Sequence, residues 1–388
     1  MILVFTMAFS KSYYTLNLDN QSFVTAIGID TSDTNNMKVT FEFVNIASSD
    51  NSSLSSSDII LNTVDSSSIN DAINIMNAYI GKKVNLSNCK VFIFSEKYAE
   101  NGISDEVFTL INDIQVRPTA NIVVSKCNAK YYIEHSAPNL ENLVTKYYDI
   151  LPPSSEYTGY SFDATIGQFF NNLKCNACQQ YAILGGITTN SSNSTQTDDM
   201  KSNTTPISGI HETDSLGLGV FKDGKIVGEL NALESICFSC LLKDTQSFQI
   251  SIANPEKENS LIDIALNVAK NKKVKVNIVN GSPYVKIKLQ FEGKVASMSK
   301  DSKYLDENTL DTISEETSHY LEKAFSNFLY KTSTEYDSDV CSIGKYAFPK
   351  FWTLRDFENY NWNSNYKNSV FDVEVITDIN SSFIINQS

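Results

Sequence analysis

Apolar and polar positions recur with regular periods along most of the chain. Met37, Val39, Phe41 and Phe43 alternate with Lys38, Thr40 and Glu42, which predicts a strand with one buried face, and Phe23–Ile29 is its natural partner. Ile59–Val64 predicts a short strand, and Ile69, Ile73, Met76 and Ile80 then recur at helical spacing behind a Ser67 or Ser68 cap, with Gly81 as the stop. Cys89–Phe94 is a nearly unbroken apolar run, the mark of a central strand covered on both faces. Short helices are predicted near Lys97 and over Asp105–Ile114, then a strand over Ala120–Ser125. Helices follow over Leu140–Ile150 and Asp163–Leu173, and a strand over Tyr181–Ile187. The order β-β-β-α-β-α-β implies an α/β layer with helices over a mixed sheet.

Leu216–Leu242 carries the densest local signal. Leu216, Leu218 and Val220 alternate with small residues, Asp223-Gly224 suits a type I′ turn, and Lys225–Leu230 returns as a second strand. Asn231 and Glu234 form a capping-box pattern, and Ile236, Cys237, Cys240 and Leu241 keep an apolar stripe on the helix that follows. Beyond it, strands are predicted over Ser247–Ile252, Ile262–Val268, Val274–Val279 and Val285–Ala296. A long helix over Glu307–Lys331, a helix over Phe351–Tyr360 and a closing strand over Phe371–Ile376 complete the chain. The expected fold class is α+β with mixed α/β character: several domains of mixed sheets with helices on one or both faces, the last an antiparallel sheet carrying one long helix. The Ser/Asn/Thr-rich run Thr188–Thr205 can bury almost nothing and reads as a surface linker. The divisions that follow are an N-terminal segment 1–19, a region 20–187 that can split near Pro138, a linker 188–212 and a C-terminal domain 213–388.

Charge and cysteines narrow the function. The 388 residues carry a net charge of −14. Without a dense cationic cluster, nucleic acid is excluded as a partner and no polybasic membrane patch is expected. Met1–Phe9 is apolar but short for a bilayer span, and reads as the tail of a signal peptide or as a first strand. Seven cysteines cannot all pair internally. Cys175/Cys178 and Cys237/Cys240 form two C-x-x-C pairs in apolar patterns. The simplest reading is core packing, with a disulfide or a four-cysteine zinc site as alternatives.

Catalytic chemistry is thin. His135, His211 and His319 stand apart, Gly-x-Ser-x-Gly is missing, and Gly217-Leu-Gly219 lacks the third glycine and the following helix of a phosphate cradle. Glu315 and Glu316 read as a solvated helix face. Glu234 is the acid that stands out, and its simplest role is the helix cap. No catalytic, metal or cofactor residue is expected. Aromatics gather over Tyr157–Phe162 and over Tyr346–Tyr366. Of these, Tyr346, Phe348, Phe351 and Trp352 are the ones offered as a partner-docking surface, against the plainer alternative of core packing.

Gly219, Phe221, Gly228, Leu230 and Glu234 in the hairpin and helix resemble the signature of the Ger(x)C family, the C subunits of bacterial spore germinant receptors. FVTAIGID at 23–30, LSNCKVFIFSEKYAENGI at 86–103, Arg117 before a strand, and Pro349, Trp352 and FDVEV at 371–375 fit the same pattern in order. The resemblance implies a non-catalytic lipoprotein on the extracytoplasmic face of the spore inner membrane. It would work with two membrane subunits, A and B, in assembly of the receptor and its response to nutrient germinants. The family's anchoring cysteine is not visible, the first cysteine being Cys89. The competing reading is a cell-envelope hydrolase or small-molecule binding protein with its site between the two halves.

Overall fold

A computed structural model of the chain describes residues 20–34, 36–44, 59–136, 148, 159–160, 162–187, 200–204, 213–242, 247–255, 257, 260–297 and 307–380. Met1–Phe9, most of the helix expected at Leu140–Ile150, Tyr157 and His211 lie outside them.

β1 (Gln21–Thr31) runs antiparallel to β2 (Met37–Val44), and β2 pairs with β3 (Ile59–Ser66). α1 (Ile69–Ile80) opens at Ser68, whose hydroxyl accepts the Asp71 N–H at 3.1 Å, and it closes at Gly81 as the sequence implies. β4 (Lys83–Asn85) and β5 (Val91–Ser95) both lie parallel to β1. Next come α2 (Glu96–Ala99), α3 (Ser104–Ile111), β6 (Asn121–Ser125), α4 (Ala129–His135), α5 (Ile166–Leu173) and β7 (Tyr181–Ile187). The two-residue β8 (Thr213–Asp214) precedes the hairpin of β9 (Leu218–Lys222) and β10 (Lys225–Leu230). These ten strands form one mixed sheet, in the order β10-β9-β7-β6-β5-β1-β2-β3, with β4 on β1 and β8 on β7.

Every residue of β5 is buried, and its alternate side chains feed two cores. Phe92 and Phe94 face α1, α2, α3 and α5, while Val91 and Ile93 face α4 and the core that continues into the rest of the chain. That continuation runs through α6 (Ala232–Leu242), which joins the second sheet of β11 (Ser247–Ala253), β12 (Leu261–Val279), β13 (Ser282–Ser297) and β14 (Val370–Asn380). Between β13 and β14 come α7 (Glu307–Tyr330), α8 (Gly344–Ala347), α9 (Leu354–Tyr360) and α10 (Trp362–Asn365).

Several details differ from the sequence reading, each for a physical reason. The hairpin expected at the head of the C-terminal region is part of the large sheet, because β9 pairs antiparallel with β7. α6 carries no simple stripe: Ala232 and every residue from Ser235 to Leu241 are buried, since the helix is enclosed by both halves. The two strands expected over 262–268 and 274–279 are one strand, β12. Irregular pairing around Val268–Lys273 carries the polar run through without a turn. β11, β12 and β13 are antiparallel, whereas β14 enters parallel to β13 after a long helical crossover.

Met200–Thr204 falls in the segment expected to be a bare surface linker, yet Ser202 is buried. Its hydroxyl donates to the carbonyls of Leu184 (3.0 Å) and Leu216 (2.8 Å) and accepts the Leu216 N–H (2.8 Å). A hydroxyl that satisfies backbone groups can be buried where composition alone argues against it. Cys175 and Cys178 form a disulfide rather than reduced core packing, while Cys237 and Cys240 are free and buried.

Candidate functional site

The hairpin and the start of α6 make the best-connected polar site in the described structure. The turn needs positive φ at both centres, and Asp223 (51°) and Gly224 (81°) supply it. It is held from outside: Gln179 and Gln180 accept the N–H groups of Asp223 and Gly224, each at 3.0 Å, and Ile103 donates to the Gly224 carbonyl at 2.9 Å. Asn231 and Glu234 form the expected capping box, with both reciprocal bonds at 2.8 Å.

The other wall comes from the end of α7. After Tyr330 the helix passes into a π-helical turn, Lys331–Glu335. Thr332, Ser333 and Thr334 all turn their hydroxyls back onto the carbonyls of Leu329 or Tyr330, which competes with the α-helical ladder. Lys331 then reaches both Glu234 carboxylate oxygens at 2.8 Å and the Glu229 carbonyl at 3.1 Å. Tyr336 donates to the same carbonyl at 2.9 Å, and its ring lies where a Cβ on Gly228 would stand, 2.2 Å from ring carbons. Only glycine admits that approach. Ser338 donates to the Phe221 carbonyl at 2.6 Å. On the far side Lys126 is hydrogen-bonded to Glu96 at 2.6 Å and paired with Glu229.

The electrostatics follow from this partial burial. Desolvation opposes the charge on Lys331 and Lys126, but the carboxylates of Glu234 and of Glu229 and Glu96 outweigh it and hold both ammonium groups above the usual lysine range. Desolvation likewise works against Glu229, and Lys126 outweighs it and keeps that acid below its ordinary value. All of these groups are matched within the protein, so the cluster fixes the hairpin to α7 and leaves no poised acid or base.

Comparison with known proteins bears on what this hairpin belongs to. Residues 15–188 match the family model "Spore germination protein N-terminal domain", and residues 216–382 match "Spore germination B3/ GerAC like, C-terminal". The chain belongs to the Ger(x)C family of spore germination proteins. A solved structure, "Crystal Structure of the GerBC protein", shares its fold with a TM-score of 0.55 at 15% identity, covering 91% of this chain and 96% of that one. No curated protein matches. The Ger(x)C family is one of germinant-receptor C subunits and is not a known class of enzyme.

The structure brings five of the signature residues together. Phe221 and Leu230 are fully buried, Gly219 sits in β9, Gly228 lies under Tyr336, and Glu234 caps α6 and holds Lys331. Arg117 and Trp352 lie apart from this cluster. Arg117 stands exposed in the turn before β6, its carbonyl accepting the Ala120 N–H at 2.9 Å. Trp352 is 98% exposed.

The C-terminal aromatics divide into a buried group and an exposed one. Phe357, Trp362 and Tyr366 are buried, and beside Trp362 lies Asp339, whose carboxylate accepts the N–H groups of Ile343 (2.9 Å) and Gly344 (2.7 Å) and the Trp362 indole (2.7 Å). Burial pushes Asp339 up to about 6 against the pull of those donors. Tyr346, Phe348 and Trp352 are exposed and Phe351 is half-buried.

Sequence reasoning missed the most perturbed acid of the N-terminal half. Glu42 was assigned to the wet face of β2, yet it is buried and its pKa is pushed up to about 7. Desolvation is the main cause, opposed by hydrogen bonds from Thr25 and Tyr148. The alternation of β2 hid it, because both faces of that strand are covered.

Among the described residues no group of His, Cys, Asp and Glu is arranged to hold a metal. His135 Nδ1 lies 2.8 Å from the Tyr131 carbonyl and His319 Nδ1 3.4 Å from Glu322. A depression lined by Cys240, Lys272 and Gln290 has a cavity volume of about 10 Å³, room for one water. α6 packs into a core that takes residues from both sheets. No helix of the described residues is long and apolar enough to cross a membrane.

Proposed function

We propose that this Ger(x)C protein is a non-catalytic subunit that assembles with the A and B membrane subunits of a germinant receptor and is needed for the response to nutrient germinants. It would act on the extracytoplasmic face of the spore inner membrane, held there as a lipoprotein. Family membership supports the receptor assignment. The observation that carries the non-catalytic part is the use made of the signature itself: Gly228 and Glu234 are committed to Tyr336 and Lys331, so the residues that mark the family build a joint. The division of the chain at 188–212 is part of this proposal, with the hairpin as the element that crosses it.

The test is genetic and biochemical together. In a strain where this is the sole C subunit, its deletion is expected to abolish nutrient germination and to lower the level of the A and B subunits. An affinity-tagged copy is expected to bring both down from detergent extracts. A deletion strain that germinates normally in nutrients would overturn the reading.

A further inference from the structure

The end of the molecule formed by the α8–α9 segment and the β12–β13 turn exposes apolar side chains beside cations. Across 340–355 the sequence holds Lys345, Lys350 and Arg355 and no acid, on a chain whose net charge is −14. All three cations are exposed, and so are the apolar side chains between them: Trp352 at 98%, Leu354 at 56%, Phe348 at 45% and Tyr346 at 40%. Two acids follow on α9: Asp356, in a capping box with Thr353, and Glu358, which accepts a hydrogen bond from Asn176. That cap sets the geometry: Phe348 and Phe351 both stack edge-on against buried Phe357, and Thr353 turns the chain so that its neighbours Trp352 and Leu354 point outward. Tyr360, its ring tilted against Phe351, donates at 2.9 Å to the carbonyl of Gly281 in the β12–β13 turn, where Val279 is also exposed.

We infer that this end is a membrane-contact surface, with Trp352 and Leu354 entering the interfacial layer and Lys345, Lys350 and Arg355 meeting anionic lipid headgroups. A projecting indole on a segment that also exposes other apolar side chains and three cations fits a soft, anionic, amphipathic medium. A protein partner would have to supply a deep pocket for a side chain that is almost wholly free. The net negative charge does not defeat the contact, because charges farther than about 8 Å are largely screened at physiological salt and the groups at this end dominate. The proposal departs, at this one end, from the composition-based expectation of no basic membrane patch. The inference does not rest on the receptor reading, since it is read out with lipid alone.

The experiment uses the whole chain with two kinds of vesicle, phosphatidylcholine alone and phosphatidylcholine mixed with phosphatidylglycerol. Cosedimentation with the mixed vesicles is expected, weakened by salt and lost on neutral ones. Of the chain's two tryptophans, Trp362 is 1% exposed, so a blue shift of emission on binding, and its quenching by brominated lipid, report Trp352. The triple variant K345Q/K350Q/R355Q is expected to bind the mixed vesicles about 100-fold more weakly, at roughly fivefold per cation. Trp352→Ser is expected to lose about tenfold, from the apolar area no longer buried in lipid. Circular dichroism melts of both variants should match the parent. Equal binding to the two vesicle types, or no binding, overturns the inference. So does a Trp352→Ser protein that keeps its vesicle affinity but no longer recovers the A and B subunits, which would assign the patch to a protein surface.

Discussion

Trp352 and Trp362 stand one short helix apart in the same aromatic stretch, and their surroundings are opposite. Trp362 is packed beneath α8, where a Cβ on Gly344 would come within 2.6 Å of its indole, and its Nε1 is bonded to Asp339. Trp352 touches little and faces solvent. The difference lies in the polar partners. The segment around Trp362 has a buried carboxylate that organises two backbone N–H groups and an indole at once, whereas the segment around Trp352 has only a local cap that holds the loop's shape. One aromatic locks the interior and the other is held outside it by a rigid base.

The sharpest way to break this contrast is to remove Asp339. Asp339→Ala leaves two backbone N–H groups and the Trp362 indole buried without acceptors, and is expected to cost about 4 kcal/mol of unfolding free energy. Denaturant titration measures it, and Trp362 emission should shift to the red at the same time. A loss under about 1 kcal/mol would mean that the node is not what holds Trp362.

Glu42 sharpens the contrast between buried acids by its pH dependence. Its folded pKa of about 7 lies above the ordinary value of 4.5, so the unfolded chain ionises first and binds fewer protons in between. The stability linked to this group is therefore full below about pH 4.5 and is lost as pH rises through 7, a fall of about 3 kcal/mol. Asp339 contributes in the same direction, between its ordinary value of 3.8 and about 6. Glu42→Gln keeps the shape and cannot ionise, so its stability profile from acid to mildly alkaline pH should be flatter than the parent's by about that amount. Parallel profiles would show that Glu42 stays charged in the fold.

At the hairpin joint, Lys331→Ala removes the partner of a Glu234 side chain that is only 18% exposed. The expected loss is about 2 kcal/mol, below that of a fully buried pair because water still reaches both ends. Lys331→Arg should recover part of it. No loss in either variant would dissolve the reading of the hairpin as the joint to α7.

These residues also show how far the sequence could be read. Local signals survive intact: the Asp223-Gly224 turn, the Asn231/Glu234 box, the Ser68 cap and the all-buried β5 each depend on residues a few positions apart. What could not be read is long-range. Glu234 was legible as a cap but not as the partner of Lys331, because nothing local joins them, and Tyr336 gave no sign that it faces Gly228. Ser202 and Glu42 misled in the same sense, both polar and both buried, one by backbone partners and the other by a covered second face. The aromatic stretch was legible as a group, but its division was not, since exposure is decided by Asp339 below it and by the Phe357 base.

The smallest expected effect bears most directly on Trp352. A side chain with 98% of its surface free contributes almost no burial to folding, so Trp352→Ser should change stability by less than about 0.5 kcal/mol in either direction. Measured beside Asp339→Ala, it gives the two ends of the scale within one aromatic stretch. If the serine variant instead loses about 2 kcal/mol or more, the indole is packed against something in solution, a second copy or another part of the chain, and its exposure no longer argues for a lipid contact. If stability is unchanged while vesicle binding drops, the cost of an exposed tryptophan is balanced outside the fold, which is the distinction the two indoles draw.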